Sequence, residues 1–84
     1  MPELTEKISS LVESIVRPLI EFEDEFEISA YEESGKTIVV EIRVNEEDAG
    51  KVIGRQGRII KAIRTLSRAV ASQDDAHVEV ELID

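Results

Sequence analysis

Leu4, Ile8, Leu11, Val12, Ile15, Val16 and Leu19 stand three or four residues apart on one side of a helical projection. That spacing predicts an amphipathic helix over residues 4–20. Pro18 should end or kink it near Arg17, because proline has no N–H to donate and restricts the residue before it. The acidic run Glu21-Phe22-Glu23-Asp24-Glu25 reads as a solvated connector. From Phe26 the apolar period drops to two, through Ile28 and Ala30, and Ser34-Gly35 marks a hairpin turn. Ile38, Val40, Ile42 and Val44 then alternate with Thr37, Val39, Glu41 and Arg43. Two antiparallel strands with one buried face are predicted.

Asn45 is a good helix N-cap, and Glu46, Glu47 and Asp48 suit the positive end of the helix dipole that follows. This short helix runs to about Ile53 and stops at Gly54. A second helix is predicted from Arg58 to about Ser72. At about 100° per residue, Ile59, Ala62, Ile63, Leu66, Ala69 and Val70 fall on one arc. Arg58, Lys61, Arg64, Thr65, Arg68 and Ser72 fall on the opposite one, so the first arc is expected to face the core. Gln73-Asp74-Asp75-Ala76 reads as a polar turn, and Val78, Val80 and Leu82 alternate with Glu79 and Glu81 in a last strand. The order is helix, strand, strand, helix, helix, strand, an α+β arrangement in one domain spanning residues 1–84. There is no internal repeat and no low-complexity tract.

Charge changes the picture most. Ten basic residues face nineteen acidic ones, for a net charge of −9. Six of the basic residues and none of the acidic ones lie in residues 49–72. A short positive island thus sits in an acidic chain, and whole-surface repulsion argues against indiscriminate polyanion binding. With no cysteine there is no disulfide and no thiolate metal site. No apolar stretch approaches the roughly 20 residues of a membrane span, and the early acidic residues Glu3 and Glu6 are unlike a secretory signal. A cytoplasmic location is expected.

The island is centred on Gly54-Arg55-Gln56-Gly57. Glycine at both ends permits a tight corner and lets another backbone come close. The corner also presents the unpaired N–H groups of the following helix, which favour a phosphate. Arg55 and Arg58 flank the spot, and Lys51 and Lys61 stand one turn further away. A bare Gly-x-x-Gly occurs in many unrelated turns. The flanking pattern Val52-Ile53-Gly-x-x-Gly-x-Ile59, between two helices that are themselves between strands, is far more specific.

In these features the chain resembles the KH family of RNA-binding domains, in its type II arrangement, and within it the small bacterial single-KH proteins. Ile15-Val16-Arg17-Pro18-Leu19-Ile20, Asp48 through Arg58, and Ala62-Ile63-Arg64-Thr65-Leu66 carry the similarity, which covers nearly the whole chain. The resemblance implies a three-stranded mixed sheet with three helices on one face. Residues 1–35 would be an N-terminal helix-and-strand extension, and 36–84 a βααβ core. It also implies single-stranded RNA clamped at the Gly-x-x-Gly loop, which in KH domains holds about four backbone nucleotides. On that basis Gly54, Arg55, Gln56 and Gly57 form the clamp, and Lys51, Arg58 and Lys61 are phosphate contacts. Val52 and Ile53 are divided between groove and core, and Arg43 either reaches a base edge or pairs with a neighbouring Glu. The family further implies self-association or pairing with a larger KH protein of the Jag (KhpB) type, in post-transcriptional regulation or RNA chaperoning linked to cell growth, division and shape. The second helix is the expected contact, through Ile60, Ile63, Leu66 and Ser67. Ile60, Ser67 and Ala71 lie off the main apolar arc, where small residues would allow close helix approach. One departure is the Gln73-Asp74-Asp75-Ala76-His77 turn, which in the family often carries basic residues and here would weaken the field along one edge.

Other readings are less well supported. Counted from Gly50, a nucleotide-triphosphate loop would need Gly where Arg55 stands. His77 is the only histidine, so no metal site is expected, and nothing pairs a base with a Ser or Thr nucleophile. A non-enzymatic protein without cofactor or catalytic residues is expected. A helix-turn-helix is disfavoured by the strands on both sides. The principal alternative is an interaction module, with dimerisation as its role and Gly-x-x-Gly as a degenerate nucleic-acid site. Changing Gly54 and Gln56 to Asp is expected to separate the two by removing RNA binding and sparing the fold.

Overall fold

Pro18 does end the first regular helix. In the computed structural model, which describes residues 1–83, α1 spans Pro2–Val16 and a single 3-10 turn, Arg17–Leu19, follows it. After a second 3-10 turn, Glu23–Glu25, come β1 (Glu27–Glu33), β2 (Thr37–Arg43), α2 (Glu46–Ile53), α3 (Arg58–Ser72) and β3 (His77–Ile83). The order and the number of elements agree with the periodicity. The sheet is mixed, in the order β1-β2-β3. β1 and β2 are antiparallel, with Ile28 opposite Ile42 and Ala30 opposite Val40. β2 and β3 are parallel, with Ile38 opposite Val78 and Val40 opposite Val80.

The period-two alternation decides which face of the sheet is covered. Ile38, Val40, Ile42, Val78 and Val80 are buried, and meet the Leu4, Ile8, Val12 and Val16 line of α1 in one core. α1 packs on β1, and α3 packs on β3 and α1. Helices therefore cover one face, as a sheet with a single apolar face requires. The other face carries Ser29, Tyr31, Glu33, Glu41, Glu79 and Glu81. In its middle Val39 is only 3% exposed, flanked in register by Tyr31 and Glu79.

Two expectations are corrected. On α3 the buried residues are Ile60, Ile63, Ser67 and Ala71. Of the predicted arc Ile63 is buried and Ile59 and Val70 pack against the core, but the buried face is rotated toward Ile60 and Ser67 rather than centred on Leu66. Leu66 is 47% exposed, and Ala62 and Ala69 are exposed beside it. The physical reason is close approach: small residues at 67 and 71 let α3 lie tightly on the sheet and on α1, so bulk alone does not mark the buried side. Ile60, Ile63 and Ser67 are thus interior, and of the four expected partner contacts only Leu66 stands at the surface. The hydroxyl of Ser67 is a buried side-chain oxygen with no hydrogen-bond partner among the described residues.

The second correction concerns the acidic connector, which is tethered rather than merely solvated. The backbone N–H groups of Glu21 and Phe22 donate to Oδ1 and Oδ2 of Asp48, each at 3.0 Å. Asp48 itself is fully buried. It is thus an anchor between connector and α2, beyond its expected role at the positive end of the dipole.

Candidate nucleic-acid interface

Asn45 starts α2 as its sequence promises, its side chain accepting the N–H of Glu47 at 2.7 Å. After the eight residues of α2 the chain reaches Gly54, whose N–H still donates to Gly50 at 2.9 Å although its φ of 78° has left the helix. The N–H of Gly57 returns to the carbonyl of Gly54 at 3.0 Å, closing a four-residue turn. Gln56 and Gly57 are both left-handed, at φ 57° and 74°. α3 starts immediately, with no side chain capping its first turn and no acidic residue in it. The N–H of Arg58 turns back to the carbonyl of Arg55, which leaves the next N–H groups of the first turn and the positive dipole end at the corner.

Gly54 and Gly57 are glycine for different reasons. A Cβ on Gly54 would lie 2.6 Å from Ile59 Cγ1 and 2.9 Å from the Ile59 backbone nitrogen, so no side chain fits. A Cβ on Gly57 would meet nothing closer than 3.6 Å; there the left-handed φ alone disfavours other residues. A substitution at Gly54 must therefore move the corner itself. The expectation that changing Gly54 and Gln56 together would spare the fold is corrected on that ground. Arg55 and Gln56 are the positions where the surface can be altered without touching the turn.

The side chains expected to meet RNA divide into three groups. Arg55, Gln56, Arg58 and Lys61 are exposed around the corner, and the only tie among them is a 3.3 Å bond from Arg58 Nη2 to Gln56 Oε1. Among the described residues none of these three cations forms an ion pair. Lys51 differs: its Nζ lies 3.2 Å from Asp48 Oδ1, so a phosphate there competes with a buried carboxylate. Burial opposes the charge on Asp48, but hydrogen bonds from Phe22, Glu21 and Lys51 outweigh it and hold this carboxyl below its ordinary pKa. Val52 is fully buried, whereas Ile53 is 41% exposed and Ile59 half-buried beside the turn. The pair expected to share groove and core is split, Val52 to the core and Ile53 to the surface.

Arg43 lies 3.9 Å from Glu27, both exposed on the sheet, which favours the ion-pair alternative. Arg64 departs from the open basic arc that the helical projection gives it. Its Nε and Nη2 donate to the carbonyl of Val80, at 3.3 and 3.2 Å, so it lies over β3. Nothing in the periodicity distinguishes Arg64 from its neighbours. Among the described residues no cluster of His, Asp and Glu could hold a metal ion, and no helix is long and apolar enough to cross a membrane.

Residues 9–82 match the family model described as KhpA/KhpB, KH domain. The chain is 43% identical over 74 residues to the RNA-binding protein KhpA of Borreliella burgdorferi, covering 88% of this chain and 89% of that one. It is 42% identical over 77 residues to the RNA-binding protein KhpA of Listeria monocytogenes, with 92% of this chain and all of the relative aligned. The corresponding protein of Clostridium acetobutylicum is 44% identical over 77 residues, covering 90% of this chain and its own full length. No solved structure gives a significant match. An α+β fold in type II KH order, a Gly-x-x-Gly corner between α2 and α3, and a family match over nearly the whole length agree: the chain belongs to the KhpA/KhpB family of KH domains.

Proposed function

We propose that this protein binds single-stranded RNA by holding the sugar-phosphate backbone at Gly54-Arg55-Gln56-Gly57. The observation that carries the reading is the corner itself. A turn with no room for a Cβ at Gly54 leads directly into a helix start without a side-chain cap, beside Arg55, Arg58 and Lys61, which form no ion pair among the described residues. Backbone amides and guanidinium groups converge where a phosphate would sit, and relatives at more than 40% identity are named RNA-binding proteins. Lys51 is a secondary contact because Asp48 already holds it. Ile53, exposed beside the turn, supplies apolar surface for bases. With no Trp, one Tyr and two Phe, stacking platforms are scarce, so binding is weak and sequence-tolerant. Crosslinking followed by sequencing of the bound RNA tests this: many short single-stranded segments without a strict motif are expected. Recovery of no RNA, with or without a Jag-type partner, would favour the interaction module instead.

The protein also works as a pair, with a second copy or with a larger Jag/KhpB-type KH protein, in RNA chaperoning or post-transcriptional regulation. The observation favouring a pair is the outer face of α3. Leu66 is 47% exposed, with Ala62 one turn before it and Ala69 nearly one turn after, both exposed. A leucine among small residues admits close helix approach. Because Leu66 is outside the core, Leu66→Asp should leave the melting temperature within about 3 °C. The same change should shift the protein to monomer in sedimentation equilibrium. An unchanged assembly state in the variant would remove α3 from the interface.

A further inference from the structure

A cavity of about 500 Å³ opens where the end of α3 meets the start of β3, lined by Arg68, Ser72, Asp75, Ala76, His77 and Val78. We infer that it takes one further ribonucleotide of the strand clamped at the Gly-x-x-Gly turn, with Arg68 on its phosphate and the Asp75 carboxylate accepting a base or ribose hydrogen. The inference rests on the RNA reading above and extends it to a second contact.

Three observations lead there. The first is the direction of the basic row. Lys61, Arg64 and Arg68 follow at intervals of three and four, so they share one flank of α3. Arg64 fixes which flank that is, because its guanidinium lies on the carbonyl of Val80 in β3. One turn further on, Arg68 lines the cavity together with Val78 of the same strand, and makes no hydrogen bond or ion pair among the described residues. A polyanion leaving the corner along this flank meets positive charge until it reaches the cavity.

The second observation is reach. Arg68 is ten residues beyond Arg58, about 15 Å along the helix axis. The Gly-x-x-Gly clamp accounts for about four nucleotides. At about 3.4 Å per nucleotide of a stacked strand that distance is about four nucleotides, so the site lies beyond a four-nucleotide RNA held at the clamp and within reach of an eight-nucleotide one.

The third is the placement of Asp75. The N–H of Ala76 donates to Ala71 at 3.0 Å and that of Asp75 to Ser72 at 3.2 Å, the bond pair that closes a helix in a Schellman turn. Asp75 occupies its left-handed position, with φ 55°, and is held by backbone bonds. A carboxylate only accepts, so a free phosphate is repelled. A nucleotide, which carries an anion at one end and N–H or O–H donors at the other, matches Arg68 and Asp75 together.

The test is fluorescence anisotropy with single-stranded RNAs of four and eight nucleotides, on the unaltered chain, Arg68→Ala and Asp75→Gly. Both positions are exposed, and glycine is at ease in a left-handed φ, so folding is retained. Arg68→Ala should weaken the longer RNA by about tenfold and leave the shorter one unchanged. Asp75→Gly discriminates by sign. Removing a negative charge tightens RNA generally, whereas losing an acceptor in the cavity weakens the eight-nucleotide RNA selectively. Equal effects on both lengths, or tighter binding of the long RNA by Asp75→Gly, would overturn the inference while leaving the clamp in place. Binding of neither length by the unaltered chain would overturn the RNA reading as well.

Discussion

A chain carrying Arg55→Asp and Gln56→Asp is expected to lose affinity for single-stranded RNA by about a hundredfold or more, with its melting temperature within about 3 °C of the parent. Both side chains are exposed, and the only bond removed is the 3.3 Å one between Arg58 and Gln56. Asp tolerates the left-handed conformation of residue 56, so the turn keeps its shape. What changes is the field: a guanidinium becomes a carboxylate, and a second carboxylate is added, at the mouth of an uncapped helix. The same comparison separates direct contact from long-range repulsion. Every phosphate that the loop no longer touches should lower the slope of log affinity against log salt by about 0.7 for a single strand. Filter binding or anisotropy at several salt concentrations, with thermal melting alongside, reads both effects. Retained binding in a folded double variant would remove the clamp and leave a protein-interaction module. Gly54 is the wrong place for this test, since its Cβ would collide with the backbone of Ile59 and fold and function would fall together.

Much of this fold is written locally. The hairpin, the limits of α3 and the order of elements follow from where the apolar period changes between two and about 3.6, and from Asn45, Gly54 and Pro18 as boundary residues. The corner is legible for the same reason: two glycines in register with a charge island need no tertiary information. The rotation of α3 is not. Its buried side is chosen by what fits against α1 and the sheet, and Ser67 and Ala71 qualify by being small while Leu66 is left outside. Periodicity counts hydrophobic bulk and is blind to that choice. Arg64 and Lys51 mislead for a related reason. A cation on a helix reads as free until the structure shows a carbonyl of β3 or a buried carboxylate beside it.

Asp48 is the residue whose sequence context conceals most, and replacing it with Asn is expected to lower the melting temperature on the order of 10 °C. Its two oxygens accept three hydrogen bonds, from the N–H groups of Glu21 and Phe22 and from Lys51 Nζ. An amide has one oxygen. In the variant an NH2 group must face one of those backbone N–H donors, and a buried donor then goes unpaired. The pH dependence has a definite sign. The folded carboxyl is held below its ordinary pKa despite burial, by the Phe22, Glu21 and Lys51 hydrogen bonds. As pH falls the unfolded chain takes up this proton first. The stabilisation is complete above the ordinary carboxylate range, declines as pH falls through it, and is gone below the folded pKa. The melting-temperature gap between parent and variant should therefore be widest near neutrality and shrink below about pH 4. The other carboxylates titrate in both proteins and largely cancel. RNA affinity should move the opposite way at neutral pH, because Asp48→Asn frees the Lys51 ammonium beside the corner. Calorimetry at neutral and acidic pH, with RNA binding measured well below the melting temperature, checks the pair of outcomes. A variant that melts with the parent, or a gap that widens in acid, would show that Asp48 does not anchor the connector to α2.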